Sequence, residues 1–474
     1  MSESFQPVWC RPMYHCYTVP NDCGRRKWRS SSGRSVSGKV STAPGWPSGW
    51  AFITLHGPQN PSPIPQATSS FCWSPQEGPL IMRLLFLAPS PPSPQTGGGA
   101  LRMFHMVRFL GKRFDLDLVA PALEGAEAAE RLLRGSCREM EFVPAGSESM
   151  ARRFLRLGPY EKDPTLTDAI HRRLTSQCYS AVQVEKPAML PYLPKDIRIP
   201  VILDTWAYGL AGPLRALRHE AGILARARNL LQVIRFSIFD ACCWPVTSCI
   251  LVVSEEDRIR CQQERPGRRV LVVPNGFDCS AVRPETPGNE GPPVILFTGD
   301  MGFPPNVDAA LFLACRIFPE IRRVHPAVEL WLVGRNPDPR LTRLAESSSG
   351  ITVTGAVEDM VPYLHAATVY VAPHFTGAGT RTKLLEAMAA GLATVTTSIG
   401  IEGIEASHDQ EVVIADDLPS LTTTVLRLLG NPQARIRLGT AARRLMEERY
   451  DWSRCLAPLE TLYAELLPKR VVSW

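Results

Sequence analysis

The sequence predicts an α/β protein in which two doubly wound, Rossmann-like sheets face each other across a central cleft. Three observations predict it. From Met82 onward, short apolar runs alternate with amphipathic helical stretches, the βαβ pattern of parallel sheets. A polar, Pro/Gly-rich break, NGFDCSAVRPETPGNEGPP at residues 275–293, divides that alternation into two series of comparable length. A glycine loop then joins an apolar strand to a helix within residues 369–391, at the strand's carboxyl end, where open α/β sheets bind their ligands.

The first 81 residues stand apart. They hold 11 prolines, 13 serines and five of the ten tryptophans, with no 3.6- or 2-residue periodicity. They read as a disordered extension, or as a stretch upstream of a true start at Met82. No charged-then-apolar layout suggests a secretion signal. Strands are then predicted at 83–88, 115–120, 139–143, 180–184, 201–204, 249–253 and 270–274, giving an N-terminal domain over 82–280. After a linker at 281–293, strands at 294–299, 328–334, 351–355, 368–373, 393–397 and 411–414 give a C-terminal domain over 294–453. Helices are predicted at 419–429, 432–449 and 454–467. The final helical segment, within 454–474, is expected to pack back on the first domain.

Composition narrows the function classes. The net charge is +6, but residues 1–81 contribute seven Lys/Arg against three Asp/Glu, so the remainder is nearly neutral and argues against a nucleic-acid partner. No run approaches 18 uninterrupted apolar residues. Thirteen irregularly spaced cysteines, with no C-x-x-C, read as reduced thiols and a cytoplasmic location.

The most informative stretch is TGAGTRTKLLEAMAAGLATVTT at 376–397. Gly377 and Gly379 turn the strand VYVAP into a helix whose free N–H groups and positive dipole end suit an anion. Arg381 and Lys383 add full charges there, enough to hold a diphosphate without a metal ion. Cations at a helix N-terminus oppose the dipole unless an anion visits, which weighs against a merely solvated first turn. Glu386 follows Lys383 by three residues, on the same face and roughly 5 Å further in. That offset suits a carboxylate on two ribose hydroxyls, with the phosphates at the helix tip.

Other constellations are weaker. Gly97, Gly98 and Gly99, followed by Asp115 and Asp117, imitate a dinucleotide-binding fingerprint. The loop before them is too long, and the third fingerprint glycine falls at Arg102, so a flexible loop overhanging the cleft fits better. Asp115 and Asp117 have the spacing of metal-binding carboxylates but begin a strand, and read as solvent-side aspartates. His374 follows VYVAP and either lines the cleft or caps a turn. Asp204 ends VILD, before Trp206 and Tyr208, and either faces an acceptor or forms a turn. His105, His219, His325 and His365 sit in helical contexts as surface or packing residues. The basic, amphipathic residues 213–235 form a solvated helix face or dock on an anionic membrane.

In order and spacing, a set of motifs resembles the retaining glycosyltransferases of family 4, group 1 glycosyl transferases with the GT-B fold. They are VVPNGFD (272–278), ILFTGDMGFPPNVDAA (295–310), WLVGRNP (331–337), VTGAVEDMVPYLHAATVYVAP (353–373), GAGTRTKLLEAMAAG (377–391) and YDWSR (450–454). The resemblance covers Met82 to about Tyr463. It is closest to a branch that builds exopolysaccharide or lipid-linked glycans. It implies that Arg381 and Lys383 hold the diphosphate and act as the catalytic cations, and that Glu386 holds the ribose. It further implies that the loop at Gly299 follows the phosphates, that backbone at Gly355 and Val357 frames the base, and that His374, Gly377, Gly379 and Thr380 complete the donor site. Gly97, Gly98, Gly99 and Asp204 would face acceptor or phosphate. One departure stands out: many members carry a sugar-contacting glutamate eight residues before the ribose-binding one, and that position here is Ala378.

The expected activity is transfer of a hexose from a nucleoside diphosphate sugar to a hydroxyl of a glycan or lipid-linked acceptor. Anomeric configuration would be retained, with no metal or other cofactor. The cations and helix terminus would stabilise the departing diphosphate, and the leaving phosphate oxygen could take the acceptor proton. A nucleotide-sugar epimerase on a similar fold would need acid/base pairs that the sequence does not reveal. A catalytically weak nucleotide-sugar-binding member, assembling peripherally at the inner face of a membrane, is the second expectation. Ala378 and the basic segment favour it.

Overall fold

The computed structural model describes residues 82–466 except 95–96, 145–162, 207–229, 232, 235–245, 285–290 and 378, together with four strands in the first 81 residues. Those strands, Tyr14–His15 (β1), Arg25–Ser30 (β2), Ser35–Ser41 (β3) and Phe52–His56 (β4), pair antiparallel in sequence order. They belong to a unit, Met1–Ser74, separate from the Pro75–Trp474 unit that carries the remaining elements.

In the larger unit the first sheet contains Arg83–Leu87 (β5), Asp115–Pro121 (β6), Glu139–Val143 (β7), Ala181–Glu185 (β8), Val201–Asp204 (β9), Cys249–Val252 (β10) and Val270–Val272 (β11). All pairings are parallel, in the order β11-β10-β9-β8-β5-β6-β7. The second sheet contains Val294–Thr298 (β12), Glu329–Val333 (β13), Ile351–Val353 (β14), Val369–Ala372 (β15), Thr394–Thr396 (β16) and Val413–Ile414 (β17). It too is parallel, in the order β14-β13-β12-β15-β16-β17. Each order reverses once, between β5 and β8 and between β12 and β15. Those reversals open a crevice at the strands' carboxyl ends. Helices cover both faces, so central strands such as RLLFL and VILFT are continuous apolar runs rather than alternating ones.

Every strand predicted after Met82 is present, with ends shifted by two residues at most. The predicted helix at 454–467 is two helices, Trp452–Leu456 and Pro458–Leu466. Pro458 lacks an N–H and suits a first helical turn, so it opens a new helix rather than continuing the old one. The predicted helix at 432–449 is α-helical over Pro432–Leu445 and closes in a wider turn, Met446–Tyr450.

Two crossings join the domains. Phe277 accepts from and donates to the returning chain, with its N–H 2.8 Å from the Tyr450 carbonyl and its own carbonyl 3.3 Å from the Trp452 N–H. Beyond this crossing, Trp452, Cys455, Leu456, Leu459, Leu462 and Tyr463 are buried in one cluster with Leu84, Phe86 and Met103 of the first domain. Trp452 stacks on His105 at 4.7 Å, and burial lowers the imidazole pKa to about 4. Among the described residues, no helix is long and apolar enough to cross a membrane.

Candidate active site

At the second switch point three glycines crowd the strand ends. A Cβ on Gly334 would fall 1.7 Å from the Gly299 carbonyl oxygen, so the backbones after β12 and β13 touch. Gly334 also bridges Gly355 after β14, where φ is +74°. This leaves bare backbone where a phosphate or base could approach. Val357 lies partly buried against the C-terminal core.

Across the switch point, β15 leads into the loop of Gly377 (φ +100°) and Gly379 (φ +80°) and then the helix Thr382–Ala389. Arg381 occupies that helix's N-cap position. Its buried guanidinium curls back on the loop, donating to the carbonyls of Gly379 and of Thr376, the latter at 3.2 Å. It therefore holds the glycine turn in shape while placing positive charge at the helix tip. Thr380 donates to the Gly403 carbonyl at 3.4 Å.

Lys383 lies over the Phe297 ring, 4.9 Å from its centroid, and donates to Asn306 Oδ1 at 2.5 Å. A Cβ on Gly299, whose φ is +151°, would sit 2.6 Å from the ammonium, so a side chain there would strain the backbone and displace Lys383. Burial, and next the charge of Arg381, lower the Lys383 pKa to about 7. Glu386, half-buried on the same helix, has no hydrogen-bond partner among the described residues. Burial raises its carboxyl to about 7, with the Lys383 ammonium opposing the shift. An ammonium and a carboxylate thus stand on one helix face with no charged partner within ion-pair distance among the described residues.

His374 is buried beside Phe297, with Nε2 3.3 Å from Asn306 Oδ1. Burial, then Lys383 and Arg381, lower its pKa to about 2. The ring stays neutral and backs Asn306 from behind the loop. Asn306 also donates to the Asp300 carbonyl at 2.9 Å, so it ties the β12 loop to the cation. Sequence reasoning assigned Asn306 no role. Its place in the first turn of the helix Pro304–Phe312 was the signal that could have found it.

The triple-glycine loop opens the helix Gly98–Gly111 and faces the start of the helix Thr382–Ala389 across the cleft. A Cβ on Gly98 would lie 3.2 Å from Thr382 Oγ1, and one on Gly97 would lie 3.5 Å from Arg335 Nη2. Gly97, Gly98, Gly99, Trp206, Arg335 and Asn336 help to line a cavity of about 680 Å³. Arg335 pairs with Asp300 at 3.0 Å, and Asn336 adopts φ +54°. Neither had a role assigned from sequence, although both stand in the quoted WLVGRNP motif.

Two expectations are corrected. Asp204 does not face an acceptor: it is fully buried and holds Arg102 in a two-pronged pair at 2.6 and 2.9 Å. Arg102 reaches on to the Pro274 carbonyl and Asn275, each at 3.1 Å, so the carboxylate is spent on neutralising a buried guanidinium. Asp117 is not solvent-side either. It is buried, accepting from Arg138 at 2.9 Å and from the Tyr179 hydroxyl at 2.7 Å. Among the described residues, no group of three His, Cys, Asp or Glu is placed to hold a metal ion. Ala378 and most of the basic segment 213–235 lie outside the described residues.

Residues 292–431 match the family model for glycosyl transferases group 1. A phosphatidyl-myo-inositol mannosyltransferase of Mycolicibacterium smegmatis is 30% identical over 214 residues, 43% of this chain and 54% of that protein. The chain thus spans about half the length of this relative. The Mycobacterium leprae protein of the same name is 27% identical over 55% of this chain and 70% of its own length. Among solved structures, sucrose-phosphate synthase from Thermosynechococcus elongatus superposes with a TM-score of 0.62 at 15% identity, covering 81% of this chain and 99% of that one. Anabaena HepE, solved in complex with UDP and glucose, superposes with a TM-score of 0.58 at 15% identity, over 81% of this chain and all of that one. The chain has the GT-B fold, and the residues that match the group 1 glycosyl transferase model, 292–431, include every strand of its second sheet.

Proposed function

We propose that this protein is a metal-independent, retaining glycosyltransferase of family 4 that moves a hexose from a nucleoside diphosphate sugar to a hydroxyl of a glycan or lipid-linked acceptor. One observation carries the reading. Lys383 and Glu386 stand one helical turn apart at the switch point, both half-buried and, among the described residues, with no ion-pair partner. Burying two such groups costs stability unless a ligand completes them. A diphosphate beside Lys383 and Arg381, with a ribose diol on Glu386, supplies both partners at once.

The chemistry follows from charge. As the glycosidic bond breaks, electrons move to the departing diphosphate, and negative charge grows where Arg381, Lys383 and the N-terminus of the helix Thr382–Ala389 converge. The leaving phosphate oxygen can accept the acceptor's proton on the same face, consistent with retention. His374, neutral and buried, positions Asn306 and through it Lys383. The donor class gains support from the UDP and glucose bound to HepE, and a lipid-linked acceptor from the names of the mycobacterial relatives. Exopolysaccharide or lipid-linked glycan synthesis at the inner membrane face fits the same reading.

The test is a panel of nucleoside diphosphate sugars, each with chelator present, scored by released diphosphate and by the anomeric configuration of the product. Inversion, or full metal-reversible loss, would overturn the mechanism. Donor binding with no released diphosphate would favour a binding-only role.

A further inference from the structure

Glycine has the widest backbone freedom of any residue, yet Gly97, Gly98 and Gly99 hold a definite place at the cleft. A Cβ on Gly98 would lie 3.2 Å from Thr382 Oγ1, and one on Gly97 would lie 3.5 Å from Arg335 Nη2. The support comes from beneath. A Cβ on Gly99 would fall 1.9 Å from Cζ3 of Trp206, and 2.3 and 2.5 Å from the flanking carbons Cε3 and Cη2. Nearly equal distances to both flanking carbons set Gly99 against the face of the six-membered ring rather than beyond its edge. Gly99 lies in the helix Gly98–Gly111 and is not among the glycines with positive φ. Alanine would be the better helix former there, so the indole, not the backbone, requires glycine.

The indole is itself fixed from several directions. Trp206 follows β9 by two residues, and Thr205 between them donates from its N–H and its hydroxyl to the Leu251 carbonyl on β10, each at 2.9 Å. The indole N–H donates to Glu185 Oε2 at 3.2 Å. Glu185, fully buried, also accepts from Gln183 Nε2 at 3.0 Å, and Gln183 accepts from the Tyr463 hydroxyl at 2.8 Å. The Lys186 ammonium lies 3.8 Å from the ring centre. With a lysine and a glycine backbone packed on it, the ring offers no open face to a ligand, and in the 680 Å³ cavity it serves as wall. A line of side chains thus runs from the helix Pro458–Leu466 through Gln183 and Glu185 to Trp206, and ends beneath the glycine loop.

We propose that Trp206 is a positioning residue for the sugar transfer: held by Glu185, it sets the height of Gly97–Gly99, so that the N-terminus of the helix Gly98–Gly111 reaches the departing diphosphate beside Thr382. This role rests on the glycosyltransferase reading and deepens it. In that reaction the bond from the anomeric carbon to the diphosphate breaks, and its electron pair goes to the phosphate oxygen. The acceptor oxygen bonds to the carbon, and its proton ends on the diphosphate. Negative charge on the diphosphate grows as the bond breaks, so a second helix terminus aimed at it counts more in the transition state than before it. A loop displaced by about 1 Å would cost turnover on the order of 100-fold. Ground-state nucleotide binding would stay with Arg381, Lys383 and Glu386 on the other domain.

The test compares the wild type with Trp206→Ala, Trp206→Phe, Gly99→Ala and the Gly99→Ala/Trp206→Ala double variant. Each receives a panel of UDP-, GDP-, ADP- and dTDP-linked hexoses, with water and an alkyl glucoside as acceptors. Released diphosphate gives kcat and KM, and calorimetry with the free nucleoside diphosphate gives ground-state affinity. Trp206→Ala and Gly99→Ala are each expected to lower kcat about 100-fold, with diphosphate affinity kept within about threefold. Trp206→Phe keeps a ring under Gly99 and gives up only the indole N–H, so it should stay within about tenfold of wild-type turnover. In the double variant the new methyl takes space that the indole leaves. Its kcat should therefore match Trp206→Ala alone, not the roughly 10⁴-fold loss of independent effects. Thermal melts check folding, and should Trp206→Ala not fold, Gly99→Ala against Trp206→Phe carries the same comparison. Full turnover in Gly99→Ala or Trp206→Ala, affinity that falls in step with kcat, losses that multiply, or a Trp206→Phe no faster than Trp206→Ala overturns the role. A wild-type protein that cleaves no member of the panel sinks the proposed function, and this role with it.

Discussion

Raising the pH from 8 to 9 should weaken nucleoside diphosphate binding about tenfold, through Lys383 alone. In the ligand-free protein its ammonium titrates near 7, because burial and Arg381 disfavour the charge. A bound diphosphate reverses that balance, so binding above pH 7 must take up a proton. Each pH unit then removes up to a factor of ten in affinity, about 1.4 kcal/mol, until the pKa of the complex is reached. The window matters because Glu386, near 7, is already ionised at pH 8. Calorimetry in two buffers of different ionisation enthalpy should show close to one proton taken up per ligand at pH 8.5. Lys383→Met should bind weakly with no slope, and Lys383→Arg should lose the slope because guanidinium does not titrate here. Free-protein stability should move the opposite way. The folded pKa of about 7 lies below the unfolded 10.5, so the unfolded chain binds more protons between them. Stability therefore rises with pH across that window, by at most roughly 5 kcal/mol, with the full penalty present below pH 7. A flat affinity profile without proton uptake, or a slope that persists in Lys383→Met, refutes the assignment.

Glu386→Gln should raise the donor Michaelis constant about 10- to 100-fold with a smaller change in turnover, since ribose contacts are made equally before and during the reaction; steady-state kinetics that show only a turnover loss would count against it. Gly299→Ala should lower both melting temperature and donor affinity, because φ is +151° and the new Cβ lies 2.6 Å from the Lys383 ammonium and 3.0 Å from Asn306 Nδ2. Asp204→Ala should destabilise by about 3–5 kcal/mol by stranding a buried guanidinium; a changed acceptor Michaelis constant with unchanged denaturant midpoint would restore it as an acceptor residue. Lys186→Gly should raise the melting temperature, because the lysine holds φ +68° and glycine would relieve about 1–3 kcal/mol of backbone strain, and a lower one would show that the conformation is unstrained.

The sequence by itself determined the features that depend on short spacings. Alternating apolar runs and helices specified two parallel sheets, because burial on both faces demands continuous apolar strands. The candidate site's glycine loop and charged helix were legible because Gly377, Gly379, Arg381, Lys383 and Glu386 lie within ten residues, and helical geometry converts that spacing into a shared face. The tertiary structure alone decided the rest. Arg102 and Asp204 meet across 102 residues, and Lys383 and Asn306 across 77. Asp204 reads identically as a ligand or as a counterion until Arg102 is seen beside it, and Asp117 reads as solvated until Arg138 and Tyr179 close over it. Lys186, an ordinary lysine in the sequence, becomes distinctive only through its φ of +68° and the Trp206 indole 3.8 Å from its ammonium. Sequence carries the period with which a segment meets a core, but crossover connections set which distant segments adjoin, and buried charges take their roles from those neighbours.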